Sequence, residues 1–418
     1  MVPDGVHAIV RQTHEDRVLR ALRSGGVMSR GQIARAVGLS RTTLSEITGD
    51  LLRRGAIVVV DTDADRRTGS GRPAERLALD PRSGQFLGVD FGHRRVQVAV
   101  ADAAHEIVAV GARTYPEACP WTDRVERAFA LADDLAAEHD LHFGALQGVG
   151  IGVTGPLSAE APHATAAASF RDAAVDLAFE RRFGTRVVVD NNSRLAGLAE
   201  ALLARPTREH VADLVFVRLS DGVGGALVVS GRLVPGRHGL AGEMGHVTVD
   251  PDGAPCRCGK TGCLETVASA RAVLDACRSR GLDLADLPGL GAALSRGEPV
   301  AVDVVRAVGA AVGRVLGAVA MAADPAEIVI GGSVARVAPA LVDEAARVVA
   351  GEVFPGSEPP RVRTATLSDD DGAMGALAAL FHSSPLLTDY PQVPRMPTGP
   401  GAGPRPPVTS GAMHVRVH

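Results

Sequence analysis

Residues 239–266 read GLAGEMGHVTVDPDGAPCRCGKTGCLET, and they contain most of the evidence on fold and function. Four residues in this stretch are of the types that close a tetrahedral zinc site of three thiolates and one imidazole: His246, Cys256, Cys258 and Cys263. The alternative is a loop of buried cysteines beside a chance histidine, but the density of potential ligands favours a metal. The stretch therefore predicts a structural Zn2+ site, with a spacing unlike that of a zinc finger.

Two acidic residues in the same stretch are not needed by the metal. Glu243 stands shortly before His246, and Glu265 shortly after Cys263. A metal that fixes the loop also fixes these carboxylates and the second nitrogen of His246, and rigidly held groups of this kind match the hydroxyls of a sugar. The alternative is that both acids are solvated charges at the rim. We expect Glu243, His246 and Glu265 to contact a sugar or a sugar phosphate.

Two motifs, AGEMGH at 241–246 and CRCGKTGCLE at 256–265, resemble the signature of the ROK family, which contains sugar kinases and sugar-responsive transcriptional regulators. Weaker similarity covers most of the chain after about Phe86. The resemblance implies an α/β fold of the actin-like ATPase (ribonuclease H-like) type over residues 84–382. Lobe 1 is expected at about 84–190 with a closing helix at 371–382, and lobe 2 at about 191–365.

Length, composition and charge limit the other possibilities. The 418 residues are too many for one ordinary core, so two or three domains are expected. We find no apolar run of the ~18 residues that a membrane span needs and no signal pattern, and the five cysteines suit a reducing cytoplasm. Residues 1–80 hold 13 Arg against 10 Asp or Glu and are therefore basic. The whole chain has a net charge of −4, so the residues after 80 are acidic. A basic N-terminal part is consistent with nucleic-acid contact. Residues 383–418 are rich in Pro and Gly and predict a disordered tail.

Residues 1–80 show the pattern of a winged helix-turn-helix. Apolar residues recur at helical spacing in Asp16–Ser24, and Ser29 and Gln32 form the sequence of a capping box for a second helix. A turn at Gly38–Ser40 separates that helix from a third one at Arg41–Arg54. Two short strands follow, at Ile57–Val60 and Leu77–Leu79, with a wing between them.

The residues expected to contact double-stranded operator DNA are polar and lie at the helix starts and in the wing: Gln32, Arg41, Thr42, Thr43, Ser45, Arg66, Arg67 and Arg72. The alternative for the whole segment is a three-helix protein-interaction module, and for the wing arginines a merely solvated loop. The family resemblance supports DNA binding, because ROK regulators carry such a segment and ROK kinases generally lack it. Reading two half-sites implies a homodimer or homotetramer.

The two glycine-containing loops that hold ATP phosphates in this family are altered or weak here. The first reads Asp90-Phe-Gly-His-Arg-Arg95, and bulky Phe91 and His93 make a poor phosphate cradle. The second, Asp221–Gly225, needs no ligand if it is a hairpin turn. The sequence therefore predicts that ATP does not bind.

The activity itself depends on Asn191 and Asn192, which follow a predicted strand. In ROK kinases the resemblance places Asn-Asp at this pair, and the aspartate takes the proton from the attacking hydroxyl. The Asn192 amide cannot accept a proton near neutral pH, although it hydrogen-bonds a hydroxyl. Gly155 lies in a segment that resembles the family's substrate-side loop. We expect Gly155, Asn191 and Asn192 to contact the ligand, and we expect no catalytic residue.

The predicted function is a sugar-responsive transcriptional regulator, a repressor, without enzyme activity. Two alternatives stay open. One is a ROK sugar kinase with a DNA-binding appendage, against which Asn192 and the first phosphate loop argue. The other is a repressor that responds to no ligand, whose sugar cleft is a relic.

Overall fold

A computed structural model describes residues 4–62, 75–102, 105–155, 157, 170, 173–202, 213–367 and 371–383. The strands in these ranges form a small three-stranded sheet near the start of the chain and two five-stranded sheets after it. The arginines Arg66, Arg67 and Arg72 of the expected wing lie outside the described residues, as do residues 384–418 of the expected tail.

The N-terminal unit packs helices on the small sheet. Its elements are α1 (Asp4–Gly25), β1 (Met28–Ser29), α2 (Arg30–Val37), α3 (Arg41–Arg53), β2 (Ile57–Thr62) and β3 (Glu75–Leu79). The strand order is β1-β3-β2, with antiparallel pairing throughout. One apolar core joins all three helices to the sheet through residues such as Leu19, Ile33, Leu44 and Leu77. This is the arrangement of a winged helix-turn-helix.

The local signals that delimit α2 and α3 are present as predicted. Ser29 and Gln32 form a reciprocal capping box at the start of α2. Gly38 ends that helix with a φ of 67°, a left-handed conformation that glycine adopts without strain. The Ser40 side chain accepts a hydrogen bond from the Thr43 amide and so caps α3. The first helix starts at Asp4, well before the expected Asp16.

The first large sheet has strand order β6-β5-β4-β7-β8. The pairs β4–β7 and β7–β8 are parallel, whereas β4–β5 and β5–β6 are antiparallel. Helix α4 packs on β5 and β6. The elements of this lobe are β4 (Phe86–Phe91), β5 (Arg95–Ala101), β6 (Ile107–Thr114), α4 (Trp121–Glu138), β7 (Gly148–Val153), α5 (Val175–Phe183) and β8 (Val187–Asn191).

The second large sheet has strand order β11-β10-β9-β12-β13 and belongs to the second lobe. The first strands and helices of this lobe are α6 (Asn192–Leu202), β9 (Leu214–Leu219), β10 (Val223–Val229), β11 (Arg232–Leu233), α7 (Glu265–Ala268), α8 (Ala270–Ser279) and α9 (Leu287–Ser295). The remaining elements are α10 (Pro299–Ala323), β12 (Glu327–Gly331), α11 (Ser333–Val337), α12 (Pro339–Glu352), β13 (Arg361–Thr364) and the closing helix α13 (Asp371–Ser383).

Helices α6 and α13 pack against each other between the two large sheets. The approach of α13 to β4 and β7 is so close that only glycine fits at two positions. A Cβ on Gly88 would lie 2.3 Å from the Ala373 carbonyl oxygen, and one on Gly150 would lie 2.4 Å from that of Ala376. The ends of β4, β7 and β8 therefore meet the start of α6 in one cleft.

Helix α10 corrects one expectation from the sequence. By length and composition it is apolar enough to span a membrane, although we expected no run to reach that length. Its apolar residues, such as Val305, Val312 and Leu316, are buried in the core of the second lobe. A core helix of this kind passes the same test as a membrane span.

The sequence of Val267–Arg280 also predicts a single helix, and this second expectation is wrong. The segment forms α7 and α8, separated at Ser269, whose backbone is extended with φ −70° and ψ 157°. The Ser269 hydroxyl accepts a hydrogen bond from the Ala272 amide and caps α8.

Candidate metal centre and ligand cavity

His246, Cys256, Cys258 and Cys263 come together, with all four candidate ligand atoms within 4.8 Å of one another. The distance between the Sγ atoms of Cys258 and Cys263 is 3.6 Å, and Cys256 Sγ lies 3.6 Å from His246 Nδ1. In a tetrahedral site with bonds of about 2.3 Å to sulfur and about 2.0 Å to nitrogen, two sulfur atoms lie about 3.8 Å apart. A sulfur and a nitrogen atom of the same site lie about 3.5 Å apart. The donor set and its spacing therefore fit one tetrahedral metal ion.

The loop that carries these residues is held by short backbone contacts. Bridges link Thr248 with Cys263 and Pro255 with Thr261. The Lys260 ammonium donates a hydrogen bond of 2.7 Å to the His246 carbonyl oxygen. Gly262 has a φ of 65°, and a Cβ there would overlap the Asp250 carbonyl oxygen, so glycine is required at this reversal.

His246 lines a large cavity between the lobes, and its second ring nitrogen lies near Glu243. Its Nε2 lies 3.9 Å from the Glu243 carboxylate. Burial raises the pKa of Glu243, with the Arg194 charge opposing the rise. The cavity has a volume of about 860 Å3, within the range of small-molecule sites, and both side chains line it.

Glu265 also lines the cavity, but it is engaged with the protein itself. Its carboxylate accepts a hydrogen bond of 3.0 Å from the Val223 amide and pairs with Arg257 at 2.9 Å. The Glu265 side chain thus holds the turn before β10 against the metal-binding loop. Arg257 lines the cavity beside Glu265.

Asn191 links Gly155, which follows β7, to the start of α6. Its amide nitrogen donates a hydrogen bond of 2.8 Å to the Gly155 carbonyl oxygen. Its side-chain oxygen accepts hydrogen bonds from the Ser193 and Arg194 amides at the start of α6. Both Asn191 and Gly155 line the cavity, and the side chain of Asn191 caps the helix.

Asn192 is buried beside Asp90 at the end of β4. Burial raises the pKa of Asp90, and the charge of Arg218 and the amide of Asn192 oppose the rise. Both Asn192 and Asp90 line the cavity.

Two hairpin turns add further polar and charged side chains to the cavity. His93 and Arg94 lie in the turn between β4 and β5, Arg95 begins β5, and Asp221 lies in the turn between β9 and β10. Burial lowers the pKa of His93, and the charge of Arg257 lowers it further. Both turns are hairpin turns between antiparallel strands, as expected for the second of them.

Four of the five side chains expected in α2 and α3 to contact DNA are exposed: Gln32, Arg41, Thr42 and Ser45. The fifth, Thr43, is half-buried. Gln32 and Thr43 also take part in capping. The Gln32 side-chain oxygen accepts from the Ser29 amide, and the Thr43 hydroxyl lies 2.8 Å from that of Ser40.

Several residues of the site were missed in the sequence. Arg194 is buried in α6, donates to the Gly239 carbonyl oxygen at 3.1 Å and lies 3.5 Å from Asp190. It thereby anchors the start of the metal-binding loop. Arg257 stands between two cysteines. Arg218 is a charged residue in an otherwise apolar strand, and this pattern could have indicated its position at the cavity.

Known proteins resemble this chain in sequence and structure. It is 26% identical over 272 residues to the putative xylose repressor of a Caldicellulosiruptor species, covering 65% of this chain and 67% of that protein. It is 28% identical to the DNA-binding transcriptional dual regulator NagC of Escherichia coli K12, covering 78% and 82%. A glucokinase of Halalkalibacterium halodurans is 29% identical, covering 69% and 93%.

The fold also resembles that of solved structures. A solved ROK family transcriptional regulator, described as a homologue of the E. coli MLC protein, matches with a TM-score of 0.61 and 23% identity, covering 88% of this chain and 95% of that one. The model of the ROK family matches residues 86–383. The chain belongs to the ROK family.

Proposed function

We propose that this protein is a sugar-responsive transcriptional repressor, which binds double-stranded operator DNA and senses a sugar or sugar phosphate without phosphorylating it. The observation that carries the proposal is the position of His246 between the cysteine cluster and Glu243. Its Nδ1 lies 3.6 Å from Cys256 Sγ, its Nε2 lies 3.9 Å from the Glu243 carboxylate, and both His246 and Glu243 line the cavity. A donor–acceptor pair held in place by a metal-binding loop suits the hydroxyl groups of a sugar.

The ion that fits the cluster best is zinc. Three cysteine thiolates and one imidazole nitrogen are a common set for a structural zinc site, because all four coordination positions are filled by protein. An ion there would hold His246 and, through the loop, Glu243. Its proposed role is structural, and a metal analysis of the purified protein tests its identity.

DNA binding is supported by the N-terminal unit. Its α2 and α3 have the helix-turn-helix arrangement, and Arg41, Thr42 and Ser45 are exposed at the start of α3. Side chains at this end of a second helix reach base edges in the major groove. The xylose repressor and NagC, which this chain resembles, are regulators by name. Gln32, Thr43 and the wing arginines Arg66, Arg67 and Arg72 are further proposed contacts, and two half-sites would require a homodimer or homotetramer in the cytoplasm.

The absence of kinase activity is proposed from the residue at the base position. Asn192 lies at the start of α6 and lines the cavity, but an amide does not take a proton from a sugar hydroxyl near neutral pH. The side chains of His93, Arg94 and Asp221 line the cavity at the two hairpin turns, and their bulk and charge argue against ATP binding there. We therefore assign Gly155, Asn191, Asn192, Glu243, His246 and Glu265 to ligand binding alone.

The test combines ligand and DNA binding. Thermal stability is measured with D-xylose, D-glucose, N-acetylglucosamine and the 6-phosphates of the last two, each with and without ATP. A compound that binds only the folded protein raises the Tm. We expect a rise with at least one sugar or sugar phosphate and none with ATP. Selection of duplexes from a random pool should also enrich one sequence; failure to enrich any would contradict the assignment as a DNA-binding regulator.

The second candidate function is a sugar kinase with a DNA-binding unit, favoured by the similarity to a glucokinase. It predicts a Tm rise with ATP and steady, sugar-dependent release of ADP. A repressor without an effector predicts no rise with any compound of the panel but an enriched duplex. The three functions therefore differ in measurable ways.

A further inference from the structure

The N-terminal unit and the first lobe share part of one hydrophobic core. Residues 142–147, here called the docking segment, precede β7 and contact the N-terminal unit. Ala145 of this segment is 2% exposed and belongs to the same apolar cluster as Leu51, Ile57 and Leu77 of the DNA-binding unit. A residue of the sugar-binding lobe thus completes the core of the DNA-binding unit.

Polar contacts fix the docking segment on the chain that links the two units. The His142 backbone donates to the Arg82 carbonyl oxygen at 3.0 Å and accepts from the Gly84 amide at 2.9 Å. Its ring Nε2 lies 3.4 Å from the buried Asp80 carboxylate. At the other end, the Gln147 amide donates to the Gln85 carbonyl oxygen at 2.7 Å.

The packing against the end of α3 leaves no free space. A Cβ on Gly144 would lie 2.7 Å from the Arg54 carbonyl oxygen, and a Cβ on Gly55 would lie 2.6 Å from His142 Cε1. Arg54 is the C-cap of α3, the helix expected to enter the major groove. A displacement of the docking segment therefore cannot be absorbed at this contact and must move the end of α3.

Strand β7 leads directly from the docking segment to the cavity. Its residues are all buried, and β4 and β8 pair with it on its two sides. Beyond its end lies Gly155, whose carbonyl oxygen accepts from Asn191, the residue that caps α6. A strand of this length spans about 20 Å and resists stretching because both edges are hydrogen-bonded.

We infer that β7 is the connector that links ligand binding to DNA binding: one end holds the cavity through Gly155, and the other holds α3 through the docking segment. The inference rests on the proposed function. Closure of the lobes on a sugar would change the position of Gly155 relative to Asn191, and β7 would pass this change to Arg54. The two sites would then bias the same two arrangements of the molecule.

The coupling is reciprocal, so DNA serves as the probe and no effector has to be known. Hydrogen exchange is followed by mass spectrometry in the full chain, with and without the duplex selected from the random pool. In the wild type, binding of that duplex should change exchange rates about threefold or more in peptides that contain residues 154–155 and 191–194. No change there in the DNA-bound wild type would overturn the inference.

Two variants test the contact itself. Gly144→Ala places a methyl group against Arg54, and His142→Ala removes the ring that lies against Gly55 and Asp80. Both should bind the selected duplex, yet lose the change of exchange at the cavity. Gly351→Ala, a methyl group added in α12 where no atom lies within 4 Å, is the matched control and should behave as the wild type.

The outcomes separate this inference from the proposed function. Duplex-dependent change at the cavity that persists in His142→Ala and in any folded Gly144→Ala protein would refute the connector while leaving a DNA-binding regulator intact. If no duplex is enriched by the wild type, the proposed function fails and the inference fails with it. Loss of the change in His142→Ala alone supports the connector even if Gly144→Ala does not fold.

Discussion

The cavity has two walls that differ in how they are built. The first, here called the metal wall, consists of the loop 239–266, and a cluster of four ligands can fix its His246 and Glu243. The second, the phosphate wall, consists of the hairpin turns that contribute His93–Arg95 and Asp221. The side chains of the metal wall are backed by the cluster of possible metal ligands, whereas the phosphate wall presents bulky and charged side chains on two hairpin turns.

Under the proposed function, the difference means that recognition and chemistry are separable in this fold. Hydrogen bonds to a sugar need a fixed donor–acceptor pair, the role proposed for the metal wall. Phosphoryl transfer also needs a proton acceptor and a site for the phosphates, which the proposal denies to Asn192 and the phosphate wall. The following predictions test this difference, in order of expected effect.

The largest effect is expected from loss of a metal ligand. Cys258→Ser should abolish stoichiometric zinc in the purified protein and lower the Tm by about 10 °C, because a metal site contributes several kcal/mol and each kcal/mol corresponds to about 2–4 °C at this size. Metal analysis and calorimetry measure both quantities. Cys119→Ser, a half-buried cysteine outside the cluster, is the control. If Cys258→Ser and Cys119→Ser have the same zinc content and the same Tm, the metal wall holds no metal.

The next effect concerns Glu243. Glu243→Gln removes the charge but keeps the shape, and it should weaken sugar binding about 10- to 100-fold, the loss of one hydrogen bond to a charged group of about 1.5–3 kcal/mol. Calorimetric titration with the sugar that raises the Tm most measures the change. The exposed Glu358→Gln is the control. Unchanged affinity in Glu243→Gln would remove this carboxylate from the binding site.

The third prediction concerns the pH dependence of stability and a residue outside both walls that packs on α13. His105 is stacked on Phe381 of α13 at 4.1 Å, and burial lowers its pKa to about 2. The folded protein keeps His105 neutral, whereas the unfolded chain binds a proton below about pH 6.5, so this contribution to stability is present above that pH and is lost on acidification.

Between pH 7 and pH 5 the loss should amount to about 2 kcal/mol in the wild type. His105→Asn, which suits the left-handed backbone at this position (φ 62°), should lose less over the same interval, whatever its stability at pH 7. Urea unfolding at the two pH values measures this, with exposed His139→Asn as the control. If His105→Asn and the wild type lose the same free energy of unfolding between the two pH values, the acid-sensitive group lies elsewhere, in one of the walls.

The smallest effect is expected from restoring the base. Asn192→Asp should release no measurable sugar-dependent ADP, because the phosphate wall still lacks a nucleotide cradle. A coupled ADP assay with D-glucose and with N-acetylglucosamine checks this. Steady turnover in Asn192→Asp would show that the phosphate wall is functional and that the two walls differ in only one residue.

The metal wall was predictable because its chemistry is local in sequence. The four ligands lie within one short stretch, and a tetrahedral site requires few other contacts. The caps of α2 and α3 were predictable for the same reason, since each involves residues three positions apart. Strands β2 and β3 were recognised from short runs of apolar residues.

The rest depends on contacts between distant residues. Ala145 gave no indication that it packs in the core of the DNA-binding unit, because alanine is common on any buried surface. The hydrogen bond from Asn191 to Gly155 and that from Val223 to Glu265 join residues far apart in the chain. The break at Ser269 was missed because apolar periodicity continues through it, although serine is a good cap.

The close packing of α13 on β4 and β7 has a consequence for synthesis of the protein. Gly88 of β4 and Gly150 of β7 are covered by α13, which the ribosome makes after the other described elements of both lobes. Until then the face of the first large sheet stays open at these positions, whereas the core of α1–α3 and the small sheet, including Ala145, is already complete. A nascent chain interrupted before residue 371 thus exposes an apolar sheet and is a substrate for chaperones and proteases.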